Sequence, residues 1–118
     1  MRDKKRYVML RFTISLKQLM NSTDIDMKLL SRMVNRELIF KIGELHYADS
    51  NPKAAAILDD RTIIYKTLLK GHDDFIEGLS IIKRINGIDL GIYTIKESGT
   101  IKTLKDFYKE NKDKINSI

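Results

Sequence analysis

The run Glu97-Ser98-Gly99-Thr100-Ile101-Lys102 places two hydroxyls and a glycine between an apolar alternating segment and a segment with lysines at helical spacing. A turn of small residues opening a helix presents unpaired backbone N–H groups and the positive end of the helix dipole, which suits an anion, phosphate first. The same residues also fit a plain helix start in which Ser98 or Thr100 caps and Gly99 turns the chain. Beyond the turn, Lys102, Lys105, Lys109 and Lys112 advance by three, four and three. On one helix they form a stripe about 15 Å long, away from Leu104, Phe107 and Tyr108. Such a stripe can track phosphates. It equally fits a solvated face, with Lys102/Asp106 and Lys109/Asp113 spaced as intrahelical pairs. The basic start, Lys4, Lys5 and Arg6 after Arg2, joins the same patch if the first strand lies beside the helix start, and is otherwise a soluble terminus. Arg11 and Lys66 sit on strands, where RNA contact and cross-strand pairing are both open to them.

Composition limits the chemistry further. The chain of 118 residues, 42% hydrophobic, fits a single domain spanning 1–118, with 1–5 a basic arm and 109–118 a helix end open to fraying. A net charge of +6 favours polyanions, nucleic acid foremost, although the charged residues are of both signs. The absence of cysteine removes thiolate chemistry and Cys-based zinc, and suits a reducing, cytoplasmic setting. No apolar run approaches the roughly 20 residues of a membrane span. His46 and His72 are far apart and lack a helix-spaced ligand partner, so a surface or capping role is expected of each. Asp59-Asp60 and Asp73-Asp74 are adjacent pairs, whose side chains diverge on any regular element, and are expected in a turn and a cap. No phosphate-loop or dinucleotide fingerprint occurs, and no catalytic residue or protein-bound metal is expected.

The elements that must position these groups follow from periodicity. Residues 6–14 alternate, with Val8, Leu10, Phe12 and Ile14 on one face, which predicts a strand. Ser15-Leu16-Lys17-Gln18 has the capping-box pattern and predicts a short helix with Leu16, Leu19 and Met20 inward. Met27, Leu30, Val34, Leu38 and Ile42 predict a long helix, widened by Leu29, Met33 and Ile39 beyond what one sheet covers. After Asp49-Ser50-Asn51-Pro52, residues 53–58 and 62–68 predict a hairpin around Asp59-Asp60-Arg61. A helix carrying Phe75, Leu79, Ile82 and Ile85 is expected to close at Asn86-Gly87, with Gly78 allowing close approach to the sheet. A strand over 88–96 and a terminal helix from Gly99 complete the order. It predicts an α/β (α+β) sandwich, a mostly antiparallel sheet of about four strands covered by helices, akin to the RNA-recognition motif.

Lys5-Arg6-Tyr7, Gly43-Glu44-Leu45, Ile85-Asn86-Gly87 and, most specifically, Ser98-Gly99-Thr100-Ile101-Lys102 together resemble one family, ribonuclease P protein component two, the archaeal relative of the eukaryotic Pop-five subunit. The resemblance runs from about Lys4 to about Tyr108. It implies a subunit of the ribonucleoprotein endonuclease that removes the 5′ leader of precursor tRNA, in which RNA is the catalyst and Mg2+ is held by RNA and substrate. It also implies an Rpp-thirty-like partner, self-association into a dimer of heterodimers, and further ribonuclease P proteins around the RNA. Ser98, Gly99, Thr100 and Lys102 are carried over as RNA-binding positions; Lys4, Lys5, Arg6, Lys105 and Lys109 join them from the charge pattern. The chain has Lys66 where the family leads one to expect an arginine, a loss of bidentate phosphate contact. It also lacks the paired aromatics with which an ordinary RNA-recognition motif stacks bases, Tyr7 and Tyr65 being the candidates. A free-standing RNA-binding module is the alternative, and a small metal-dependent nuclease a remoter one.

Overall fold

A computed structural model describes residues 4–15, 18, 27–85 and 87–117. Its main sheet comprises β1 (Lys5–Phe12), β2 (Lys53–Ile57), β3 (Thr62–Leu68) and β6 (Ile92–Ser98), in the order β2-β3-β1-β6 with every neighbour antiparallel. Between β1 and β2 run α1 (Met27–Ile42) and α2 (Glu44–Ser50); between β3 and β6 run α3 (His72–Ile81) and a two-stranded ribbon, β4 (Arg84–Ile85) with β5 (Ile88–Asp89). The chain ends in α4 (Ile101–Glu110) and α5 (Lys112–Asn116). This is the split βαβ plan, in which the first and third main strands occupy the centre.

Each face of the sheet carries its own core. Val8, Leu10 and Phe12 of β1 and Ile63 and Tyr65 of β3 meet Val34 and Leu38 of α1 and Phe75, Leu79 and Ile82 around α3. On the reverse face Met9 and Ile64 meet Leu104 and Tyr108 of α4 and Ile115 of α5. Alternation in β1 therefore separates two buried faces rather than an inside from an outside, and Met9 and Arg11 are as hidden as their neighbours.

The predicted α1 and β3 have the expected bounds, and β2 ends one residue early. Four expectations need correction. The glycine at 43 does more than loosen the long helix: at φ 84° it breaks the chain cleanly, and residues 44–50 form a second helix closed by Asn51 in the left-handed region, φ 40°. The helix after Asp73 stops at Ile81 rather than at Asn86-Gly87. Gly87, at φ 77°, lies instead between β4 and β5, where a positive φ favours glycine, and Asn86 lies outside the described residues. The strand expected over 88–96 is two, divided at Leu90-Gly91, and the second continues to Ser98. Gly78 approaches helix α1 and not the sheet, since a Cβ there would stand 2.7 Å from Ile42 Cγ2 and 2.9 Å from Leu38 Cδ2. Of the short helix at 15–20, the amide of Gln18 does donate to Ser15 Oγ (3.0 Å) as the capping pattern requires, while Leu16, Leu19 and Met20 lie outside the described residues.

Candidate nucleic-acid interface

Helix α4 lies across β6 and β1 because its apolar residues fall on one side: Leu104 is fully buried and Tyr108 nearly so, while Lys102, Lys105 and Lys109 are exposed. The three lysines share one stripe, about 10 Å from first to last at helical rise. The stripe expected to reach Lys112 ends at Lys109, because Asn111 (φ −121°, ψ 23°) interrupts the helix and its amide and side chain both donate to the Phe107 carbonyl at 3.0 Å. Neither Lys102–Asp106 nor Lys109–Asp113 forms an ion pair among the described residues. Among the described residues, no carboxylate holds the lysine ammoniums of the stripe. Lys96 of β6 rests 4.8 Å above the Phe107 ring, a cation–π contact at the rim of the helix.

At its far end α4 is clasped to the sheet by polar groups. Tyr108 donates to Asp59 Oδ2 at 2.7 Å; Arg11 Nη1 donates to Asp59 Oδ1 at 3.2 Å and to Thr62 Oγ1 at 2.8 Å; the Arg61 amide and the Thr62 hydroxyl also donate to Asp59, at 2.7 and 3.1 Å. Burial alone pushes the Asp59 carboxyl up. The hydrogen bonds from Tyr108, Arg61 and Thr62 and the charge of Arg11 outweigh it and leave Asp59 below the ordinary aspartate range. The Tyr108 hydroxyl is pushed up to about 12, first by burial and then by its bond to Asp59. Arg11 is thus a cross-strand and hairpin partner, which settles one of the two roles its sequence position allowed. A cleft lined by Arg11, Asp59, Arg61, Tyr108 and Lys112 opens beside the clasp.

The Ser98–Thr100 turn begins α4 at the other end of the sheet. Thr100 is the N-cap: its side chain accepts from the Thr103 amide (3.4 Å) and shares a hydrogen bond with the Thr103 hydroxyl (2.7 Å), and Ser98 Oγ accepts from the Thr100 amide (3.3 Å). Both hydroxyls therefore shape the turn itself. Gly99 takes an ordinary negative-φ backbone, and a Cβ there would meet nothing within 4 Å, so the fold does not demand glycine; what glycine supplies is unobstructed backbone. The first strand does lie beside this turn. Tyr7 pairs with Ser98, Lys5 pairs with Leu68, and the Lys4 carbonyl accepts from the Leu69 amide at 2.8 Å. Lys5 shares the α4 side of the sheet with Tyr7, whereas Arg6, one residue out of phase, belongs to the opposite face.

Two further expectations are overturned. His72, expected at the surface or as a cap, is 5% exposed; its Nδ1 shares a hydrogen bond with Thr67 Oγ1 (2.9 Å) and its Nε2 meets the Glu97 carboxylate, tying α3 to β3 and β6. His46 is exposed as expected and pairs with Asp74 at 2.9 Å. Tyr65 is not a stacking platform. It is fully buried on the α1/α3 face, edge-on to Phe75 at 5.5 Å between ring centres, and burial pushes its hydroxyl well above the usual tyrosine value. What sequence reasoning missed is the clasp, which joins residues some 50 positions apart, and a row of residues across the sheet in which Lys53 takes part. Unbroken strand alternation would put Lys53 on the opposite face, and the register that places it had no sequence signal.

An antiparallel four-stranded sheet with an apolar helical layer on one face and a lysine-bearing helix clasped to the other defines an α+β protein of split βαβ type with one basic side. A sequence profile of the Rpp14/Pop5 family matches residues 6–109, nearly the whole chain, and the chain belongs to that family of ribonuclease P protein components. Among solved structures, a chain in the cryo-EM structure of yeast ribonuclease MRP is similar in fold, with a TM-score of 0.64 at 16% sequence identity, over 100% of this chain and 98% of that one. No curated protein sequence matches.

Proposed function

We propose that this chain is a non-catalytic protein subunit of ribonuclease P, an archaeal and cytoplasmic one, that binds and stabilises the catalytic RNA during removal of the precursor tRNA 5′ leader. The observation that carries the proposal is the family match over residues 6–109 in a chain whose terminal helix turns three lysines to solvent, none of them paired with a carboxylate among the described residues. Neutralising phosphates lets an RNA fold compactly, while Mg2+ held by RNA and substrate activates the attacking water. Lys5, Ser98, Gly99, Thr100, Lys102, Lys105 and Lys109 are the proposed RNA contacts on the α4 side; Lys4 and Arg6, both out of phase with Lys5, would reach RNA only around the sheet's edge. The alternative, a free-standing base-stacking module, is disfavoured because α4 covers Met9 and Ile64, the middle of the face such a module would use, and Tyr65 points the other way.

The apolar surface proposed for protein partners flanks the Gly43 break. Phe40 is 79% and Leu45 82% exposed, with Ile39 and Ile81 also open. An Rpp-thirty-like subunit and a second copy of this chain are the proposed occupants, within an assembly of other ribonuclease P proteins. Purified protein, RNA-free, should not cleave precursor tRNA, whereas adding it with the Rpp-thirty-like subunit to the cognate RNA should raise Mg2+-dependent cleavage. Robust cleavage by the protein alone, after all RNA is removed, contradicts the proposal.

A further inference from the structure

One cross-strand row runs over all four main strands at the end of the sheet that α4 leaves open: Lys53 of β2 opposite Lys66 of β3, Lys66 opposite Tyr7 of β1, and Tyr7 opposite Ser98 of β6. Directly opposed residues project from the same face, and Tyr7 packs at the rim of the Met9–Ile64 core, so the whole row faces the α4 side. Lys5 follows Tyr7 on that face. Adjacent strands are about 4.8 Å apart, and like charges directly opposed at that spacing destabilise a sheet. No carboxylate comes within ion-pair reach of Lys5, Lys53 or Lys66 among the described residues.

The row exists because of two bulges. Ile57 pairs with Ile63 and Ala56 with Ile64; that register continued would set Ala54 against Lys66 and Lys53 on the far face against Thr67. The extra residue, Ala55, instead brings Lys53 opposite Lys66. On the other side Leu10 pairs with Thr94, and the same register continued would set Glu97 against Tyr7; the irregularity between Met9 and Leu10 sets Ser98 there and sends Glu97 across to His72. The bulges thus replace an alanine by a lysine and remove a glutamate, turning a neutral row into one of charge +2. Bulges re-aim side chains next to functional sites, and a doubly cationic row built at a cost to the sheet calls for an anion.

We propose that Lys53 and Lys66, flanking Tyr7 and continued by Lys5, form a phosphate seat for the RNA backbone across the open end of the sheet, continuous with the Ser98–Thr100 turn and the α4 lysines. This rests on the RNA-binding function proposed above. The charge of the row and its continuity with that surface favour RNA over an acidic protein segment.

The test uses the full chain and a ribonuclease P RNA transcript, titrated at several salt concentrations. Lys53→Glu places opposite charges in register, so its unfolding midpoint should rise or hold while RNA affinity falls by about tenfold and the slope of log affinity against log salt flattens by about 1 unit or more. Lys66→Gln should flatten the slope by about 1 unit. A structural role for these lysines would instead lower the midpoint together with binding. If both variants bind RNA with unchanged affinity and slope while Lys102/Lys105/Lys109→Gln loses binding, the seat is wrong and the RNA-binding function stands. If the α4 variant also binds unchanged, the RNA-binding function itself fails. Weakened association with the Rpp-thirty-like subunit at unchanged RNA affinity would assign the row to an acidic protein and overturn the proposal.

Discussion

The two faces of the sheet are covered in different ways. The α1/α3 face buries a continuous apolar cluster from five elements, including Phe12, Leu38, Tyr65, Phe75 and Leu79. The α4 face buries far fewer apolar residues, chiefly Met9, Ile64, Leu104, Tyr108 and Ile115, and adds the Arg11–Asp59–Tyr108 clasp at its margin. Hydrophobic area holds the first layer; the second depends on a small core and on directed hydrogen bonds that fix how the helix lies. Stability is therefore concentrated on one side of the molecule and the proposed RNA surface on the other, where losing a few contacts frees a helix without unfolding the domain.

The sharpest way to break that contrast is truncation in each core. Phe75→Ala removes a fully buried ring from the large cluster and should cost about 3–5 kcal/mol of global stability, seen as a lowered denaturation midpoint. Leu104→Ala should cost less, about 2 kcal/mol, with amide exchange accelerated mainly in α4 and α5 and little elsewhere. Comparable loss of protection over the whole chain in both variants would show that the two layers form one cooperative unit.

The clasp makes the next, smaller prediction. Asp59→Asn leaves the buried Arg11 guanidinium hydrogen-bonded to Thr62 but without its counter-charge, and should cost about 1–3 kcal/mol at neutral pH. Because the folded Asp59 lies below its unfolded value, its contribution is complete above the ordinary aspartate pKa and is lost as pH falls through that value and below. The wild-type chain should accordingly lose stability faster than Asp59→Asn on acidification, with the difference shrinking in denaturation midpoints measured toward pH 2. A difference that stays constant across that range would remove Asp59 from the account. Tyr108→Phe deletes one hydrogen bond and should cost about 1 kcal/mol, the smallest effect. Its signature is alkaline. A hydroxyl raised to about 12 stabilises the fold below the ordinary tyrosine pKa and stops doing so as pH rises through the raised value, an alkaline decline that the phenylalanine variant should show more weakly.

Much of the fold was legible because it obeys simple periods. Val8, Leu10 and Phe12 at period two, and Val34 and Leu38 at helical spacing, are where the large core lies. The terminal helix was legible for the same reason, and with it the separation of Leu104 and Tyr108 from the lysines. Short helix α2 was hidden behind Gly43, since seven residues carry too little pattern to be told from a loop. The end of α3 was misplaced because Ile82 and Ile85 continue a helical period although they belong to the connection and to the hairpin ribbon. The clasp and the Lys53–Lys66 row were beyond reach: the first closes contacts across nearly half the chain, and the second depends on bulges, which change register without changing composition.

The central claim, that the lysines of α4 hold RNA phosphates, is tested most directly by replacing Lys102, Lys105 and Lys109 together with Gln and measuring affinity for ribonuclease P RNA as a function of salt. Gln keeps good helix propensity at exposed positions, so the denaturation midpoint should hardly move. Affinity should fall, the slope of log affinity against log salt should flatten by about 2–3 units, and cleavage by the reconstituted ribonucleoprotein should need more Mg2+. Unchanged affinity with an unchanged salt slope would make these lysines a solvated face and contradict the account.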